Sequence, residues 1–270
     1  MMEVRILDVA HGFCAYVVTD NNKVVLIDCG RNEETGFEPS VYLTHRGYST
    51  VEQFIVSNYD EDHLSDLPKM VRRIKILTLT RNPSITADQL EELKLLAGSI
   101  APGMQALLGM IREYSQGFVV GPEDFGEVKF SRFYNKYPHF NDTNNLSLVT
   151  FLTYQNVRMI FPGDLEREGW LSLLELESFR KSLGQVNLFV ASHHGRESGY
   201  CEEVFDFCSP NLIIISDESI QYDTQAVDYS QHSSGILFDG EIIRKVVTTR
   251  SDGMITIHQD PGANFVVRIR

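Results

Sequence analysis

The sequence predicts an α/β fold in which two β-rich halves pack as a sandwich of two sheets, with a layer of helices on each outer face. Three observations predict it. Short runs rich in Val and Ile recur over residues 3–29 and again over 128–161, with amphipathic helical stretches between and after them, a pattern that suits layered packing. Two runs, Val24–Ile27 and Leu188–Ala191, are apolar throughout, as expected of strands covered on both faces. Three apolar runs then stop abruptly on metal-ligand residue types, at Asn58-Tyr59-Asp60-Glu61-Asp62-His63, at Gly163-Asp164 and at His193-His194-Gly195.

The 270 residues are 43% hydrophobic and 23% charged, enough to bury a sizeable core, and read as a single domain, 1–270, with residues 84–116 as a helical insertion. No stretch approaches the roughly 20 apolar residues of a membrane span. The first residues lack the basic and apolar regions of a signal peptide, so a cytoplasmic location is expected. The net charge of −13 argues against a broad electrostatic grip on nucleic acid. It leaves metal-dependent phosphoester chemistry open, because a divalent ion offsets acidic ligands locally. The basic island Lys69, Arg72, Arg73, Lys75 and Arg81 reads as a solvated helix face. Cys14, Cys29, Cys201 and Cys208 form no CxxC pair and read as buried thiols.

Taken in order, Cys14–Thr19 and Lys23–Cys29 flank Asp20-Asn21-Asn22 as a hairpin. Asp28, at the end of the second strand, either orients a ligand histidine or simply forms the turn. A short helix near Ser40–His45 precedes strand Gln53–Val56, which delivers the first ligand run. Helix Leu67–Ile74 and strand Lys75–Thr80 follow, with Pro68 tolerated in the first turn. Thr86–Gln89 is a capping box, with Ile85 and Leu90 placed as its hydrophobic staple. A second helix over Gly103–Tyr114 completes an insertion that either borders the site or serves only as core. Strands are predicted at Val128–Phe133, Leu146–Leu152 and Val157–Phe161, a helix over Arg167–Leu183, and strand Leu188–Ala191. A helix over Tyr200–Cys208, strand Leu212–Ser216, and strands Ile242–Thr248 and Met254–His258 close the chain.

At the strand ends the chain resembles the metallo-β-lactamase family, and in particular the hydrolase domain attached to the DNA-uptake channel proteins of competent bacteria. The family's HxHxDH motif is matched by Asn58-Tyr59-Asp60-Glu61-Asp62-His63. Leu7–Gly12 resembles the LDVGQGD signature, Asn145–Val149 the N-x-S-L-V strand, Gly163–Glu166 the GD-L-E motif and His193–Gly195 the HHG motif. The resemblance implies an αββα sandwich and a site for one or two divalent ions. Its ligand candidates are Asn58, Asp60, Asp62, His63, Asp164 and His194. It implies Asp62 and His193 as catalytic residues, with His193 donating a hydrogen bond or proton to a scissile phosphate. Asn144, Asn145 and His193 are implied at the substrate, although the two asparagines equally suit a turn before a strand. His11 falls where the signature borders the site.

The departures from the motif bear on the metal. Asn58 stands where the first histidine is expected, and Asn144 or Asn145 near another. One half of the site would therefore keep Asp60 and Asp164 without imidazoles, while Asp62, His63, Asp164 and His194 form a complete set. An oxygen-rich set favours Mn²⁺ or Mg²⁺ for activity, with Zn²⁺ possible. The function implied is hydrolysis of a phosphodiester, in single-stranded nucleic acid or a nucleotide, by a metal-activated water. A catalytically degenerate binding module and a small-ester or lactone hydrolase are the competing readings. No feature names a protein partner.

Overall fold

Alternation within the strands decides the layering. In β3 (Val24–Ile27), Val25 and Ile27 enter one core while Val24 and Leu26 enter another. In β8 (Val157–Phe161), Val157, Met159 and Phe161 share the core of Val25 and Ile27, and Ile160 turns to a third. One apolar layer therefore lies between two sheets and one lies outside each, the αββα sandwich predicted from sequence. The computed structural model describes residues 1–114, 124–218, 224–238 and 242–269.

The first sheet has β1 (Met2–Ile6), β2 (Ala15–Val18), β3, β4 (Thr50–Ile55), β5 (Lys75–Thr80), β14 (Ile255–Gln259) and β15 (Val266–Ile269), in the order β15-β14-β1-β2-β3-β4-β5. The second holds β6 (Lys129–Tyr134), β7 (Leu148–Tyr154), β8, β9 (Leu188–Val190), β10 (Leu212–Ile215) and β13 (Val246–Thr248), in the order β13-β10-β9-β8-β7-β6. Strands β3, β4 and β5 run parallel, as do β8, β9, β10 and β13. The loops that leave the carboxyl ends of parallel strands are where open α/β sheets place ligands, and here those loops carry Asp28, the run 58–63, Asp164, His194 and Ser216.

Helices α1 (Pro39–His45), α2 (Leu67–Arg73), α3 (Ala87–Ala97) and α4 (Pro102–Glu113) cover the first sheet through Leu43, Met70, Leu90 and Leu107. The capping box forms as predicted. Thr86 Oγ1 accepts the Gln89 amide at 3.3 Å, and Gln89 Oε1 accepts the Thr86 amide at 3.0 Å. Helices α5 (Arg167–Leu174) and α6 (Glu177–Leu183) cover the second sheet, where buried Trp170 packs on Phe179 and Phe189. Truncating a buried indole of this kind to alanine costs about 3–5 kcal/mol.

Four expectations change. The single helix over Arg167–Leu183 is two, because Leu176 turns extended (φ −83°, ψ 117°) and Arg180 satisfies the Leu174 carbonyl left by the break. The helix over Tyr200–Cys208 is a 3₁₀ turn at Glu202–Asp206. The strand Ile242–Thr248 divides: β12 (Ile242–Arg244) pairs with β11 (Ile236–Phe238), and β13 joins β10. The basic island is only partly solvated, since Lys69 and Arg73 both pair with Glu38 and Arg81 donates to the carbonyls of Asn82 and Ile85. The four cysteines are free and buried, and burial pushes the Cys14 and Cys29 thiols well above their ordinary range. No helix among the described residues is long and apolar enough to cross a membrane.

Candidate metal centre

Close packing fixes the first ligand run. Beyond β4 the chain makes a single 3₁₀ turn, Glu61–His63, with His63 buried. The Asp62 carbonyl lodges against Gly12 and Gly30, where an added Cβ would stand 2.4 and 2.0 Å from it. The Phe13 amide donates to that carbonyl at 3.3 Å, and the Cys29 amide donates to the carbonyl of His63 at 2.8 Å. Opposite, Gly163 takes φ +64° between Ser147 and the Ser57 carbonyl, and the Asp164 amide donates to Ser147 Oγ at 3.0 Å. His193 and His194 both lie in the left-handed region (φ 49° and 57°), a conformation that costs on the order of 1–3 kcal/mol per residue and tends to gather at functional sites.

This frame brings Asp62, His63, Asp164 and His194 together, with one ligand atom from each within 4.8 Å of the others. His63 Nε2 is 3.0 Å from Asp164 Oδ1, and His194 Nε2 is 3.2 Å from Asp62 Oδ2 and 3.6 Å from Asp164 Oδ1. Both Nε2 atoms are buried and face these carboxylate oxygens. Their far nitrogens are held: His63 Nδ1 donates to Asp28 Oδ2 at 2.7 Å, and His194 Nδ1 donates to the Ser216 carbonyl at 3.1 Å. That fixes both rings with Nε2 turned toward the two carboxylates, the arrangement in which an outer acceptor orients a metal-binding imidazole. Two imidazoles and two carboxylates whose ligand atoms converge in this way fit a divalent cation.

Electrostatics agree with this fit. Burial alone would raise the Asp62 carboxyl, but the hydrogen bond from His194 and the charges of His63 and His194 hold it down to about 2. Burial likewise opposes ionisation of Asp164, and the same two imidazoles hold it well below its ordinary value. Against burial, Asp164 and Asp62 hold His194 up to about 9, and Asp164 and Asp28 raise His63. Protons on the imidazoles thus offset the two carboxylates, and a divalent ion at this position would have to displace them. Burial pushes the Asp28 carboxyl upward even though Ser57 and His63 both donate to it.

The other sequence candidates lie around this group and outside it. Asp60 turns to Lys94 on α3 and accepts the Thr143 hydroxyl at 3.0 Å. Asn58 Oδ1 accepts the Asp60 amide at 2.7 Å, and its Nδ2 donates to Ser147 Oγ at 3.2 Å. Asn144 donates to Glu166 at 3.1 Å. Asn145 is consumed structurally, its Oδ1 accepting the Gly169 amide at 3.0 Å at the start of α5. His193 stands at the rim with Nδ1 2.9 Å from Ser198 Oγ.

Arg196 was missed in the sequence. Its Nη1 donates to His193 Nε2 at 3.2 Å and its Nη2 to His11 Nε2 at 2.7 Å, which sets a guanidinium beside the centre. Burial, reinforced by the nearby His194, lowers His11 to about 4, so its ring is a neutral acceptor near pH 7. The one signal in the sequence was the position of Arg196 immediately after the His-His-Gly run.

Comparison with known proteins extends these observations. ComE operon protein 3 of Bacillus subtilis (strain 168) is 24% identical over 230 residues, covering 79% of this chain and 28% of that protein. The chain thus spans little more than a quarter of the relative's length, and the match accords with the resemblance to DNA-uptake hydrolase domains. Among solved structures, a diphosphatase of the PhnP family superposes with a TM-score of 0.47 at 9% identity, over 96% of this chain and 98% of that one. The diiron β-hydroxylase CmlA of Streptomyces venezuelae superposes with a TM-score of 0.46 at 12% identity, over 79% and 44%. The family model described as the metallo-beta-lactamase superfamily matches residues 14–173, the span that carries the candidate ligand run 58–63, Asp164 and strands β2 to β5 of the first sheet. The chain belongs to the metallo-beta-lactamase superfamily and carries the candidate metal-binding group of a metal-dependent hydrolase.

Proposed function

We propose that the chain, as one catalytic domain, is a metal-dependent phosphodiesterase that cleaves single-stranded nucleic acid or a nucleotide. Asp62, His63, Asp164 and His194 would hold the ion. The observation that carries the reading is the Arg196 guanidinium held by His11 and His193 beside the two imidazole Nε2 atoms that converge on Asp62 and Asp164. A fixed, always-charged fork next to a cation site suits a phosphoryl group, whose oxygens it can hold two at a time. When bound, the ion would supply Lewis acidity toward a water and a phosphoryl oxygen, with Mn²⁺ or Mg²⁺ favoured by the carboxylates and Zn²⁺ allowed by the imidazoles.

The chain's own residues do the rest. Arg196 neutralises and orients a non-bridging oxygen. His193, hydrogen-bonded to Arg196 and Ser198, keeps the fork aimed and faces the same oxygens. Asp62, with side-chain exposure of 23% against 4% for Asp164, is the carboxylate open to solvent and placed to accept a proton from water. A degenerate binding module that holds no ion would have no use for the desolvation cost of keeping Asp164, His63 and His194 buried together.

The test is hydrolysis of bis-p-nitrophenyl phosphate and of single-stranded DNA with Mn²⁺, Mg²⁺ and Zn²⁺, beside p-nitrophenyl acetate as the ester control. His194→Ala should abolish metal-dependent turnover, and Arg196→Gln should raise KM for the phosphodiesters at least tenfold while leaving the acetate ester unaffected. Equal phosphodiester rates in wild type and both variants would sink the proposal. Faster ester cleavage with the same dependence on His194 would favour the ester-hydrolase reading.

A further inference from the structure

We infer that the centre takes a single divalent ion, and that Lys94 on the helical insertion is a resident cation filling the outer half of the ligand run. The inference rests on the metal-centre reading above. The run 58–63 offers four ligand-type side chains, but the fold divides them. Asp62 and His63 join Asp164 and His194. Asp60 instead binds the Lys94 ammonium, whose side chain is only 15% exposed, and accepts the Thr143 hydroxyl on both oxygens at 3.0 and 3.2 Å. Asn58 is buried, and its one oxygen is spent on the Asp60 amide.

Charge balance points the same way. One divalent ion offsets Asp62 and Asp164, His63 donates to Asp28, and Lys94 offsets Asp60. A second ion would have to displace a largely buried ammonium from its carboxylate, leaving that ammonium unpaired beside a dication. Nor does Lys94 reach the loop by accident. The next residue, Glu61, accepts the amides of Gly103 and Met104 at 2.9 and 3.2 Å, so that α4 begins on it. Gly103 is itself pressed against the Leu64 carbonyl, which a Cβ would meet at 2.4 Å. Helices α3 and α4 thus grip residues 60 and 61, immediately before ligand candidate Asp62.

Metal-stripped protein titrated with Mn²⁺, with ions per chain counted by plasma mass spectrometry and the spin state read by electron paramagnetic resonance, tests this without turnover. Wild type should saturate at one ion with an uncoupled Mn²⁺ spectrum. Lys94→Met, which keeps an apolar stem and frees Asp60, should saturate at two, and Lys94→Arg at one. Two ions in wild type, or a count of one in folded Lys94→Met at saturation, overturns the inference. Should Lys94→Met not fold, Asp60→Asn decides: the count stays at one with affinity within about threefold if Asp60 is no ligand, and loss of the ion overturns it. One bound ion without phosphodiester hydrolysis would defeat the proposed function and leave this inference standing. Two ions with hydrolysis would do the reverse, and no ion at all defeats both.

Discussion

Asp28→Asn separates two roles that the sequence leaves equal, orienting a ligand or forming a turn. Asp28 is fully buried with φ 56°, and its two oxygens serve three donors: Oδ1 takes the Ser57 amide at 2.7 Å, and Oδ2 takes the Ser57 hydroxyl and His63 Nδ1 at 2.7 Å. Asparagine keeps the shape but converts one acceptor to a donor. With the new NH₂ at the Oδ2 position, the Ser57 hydroxyl can rotate to accept. His63 can accept only by moving its proton to Nε2, which removes the lone pair the ion needs. With the amide flipped, NH₂ meets the Ser57 N–H, and a buried donor left unmet costs about 1–3 kcal/mol. Either way metal affinity should fall by roughly 10–100-fold, or about 1.4–2.7 kcal/mol. The assay is competition for Mn²⁺ or Zn²⁺ against a fluorescent metal indicator at fixed pH, with circular dichroism confirming the fold. A dissociation constant within twofold of wild type would refute the orienting role and leave Asp28 as a turn former.

Three further outcomes are expected. Gly30→Ala places a Cβ 2.0 Å from the Asp62 carbonyl and 3.0 Å from that of Phe13. Because both are backbone, the loop must move, costing about 1–3 kcal/mol; an unchanged Tm and metal content would contradict the packing described. Asp217 is buried, lies 3.5 Å from the Arg250 guanidinium, and burial raises it from 3.8 to about 6 against the pull of Arg250. A raised carboxyl destabilises the fold progressively as pH climbs from 3.8 through 6, by up to about 3 kcal/mol. Asp217→Asn should therefore raise Tm at pH 7.5, with the gain vanishing by pH 4, and an equal gain at both pH values would count against it. With His194 held up to about 9, its ion pairs stabilise the metal-free chain fully below pH 6.5 and are lost as pH rises through 9. Because the ion must displace that proton, the Tm increase on adding Mn²⁺ should grow from pH 6 to 9; a flat response would refute proton–metal exchange at this ring.

Where the physics is local, the sequence disclosed it. Val24–Ile27 has no polar residue to face water, so two covered faces followed directly, and Thr86–Gln89 carried both halves of its capping box. The strand-end ligand candidates that converge in the fold were legible because an apolar run that stops on Asp or His has few structural uses. What escaped notice depends on distant partners. Lys94 looks like one more charge on an amphipathic helix until the fold brings it to Asp60, 34 residues away. Arg196 acquires meaning only when His11, 185 residues earlier, meets it across the sheets. The break after Leu174 was hidden because Leu173, Leu174 and Leu183 keep helical apolar character through it. Asn145, read from sequence as either a substrate contact or a turn residue, spends its side chain on Asp142 and on the amides of Glu166 and Gly169 at the start of α5.

The four converging side chains come in two pairs from two places. Asp62 and His63 follow β4 of the first sheet, while Asp164 and His194 follow β8 and β9 of the second. Each pair alone is a two-toothed chelate, and only the packed sandwich raises their mutual effective concentration enough to hold an ion tightly. By reciprocity a bound ion would be a clasp across the sheets. At a free concentration a hundred times its dissociation constant it would add about 2.7 kcal/mol against their separation. Free metal in the surroundings would then help determine how rarely the sandwich opens, and so how long the chain survives proteolysis.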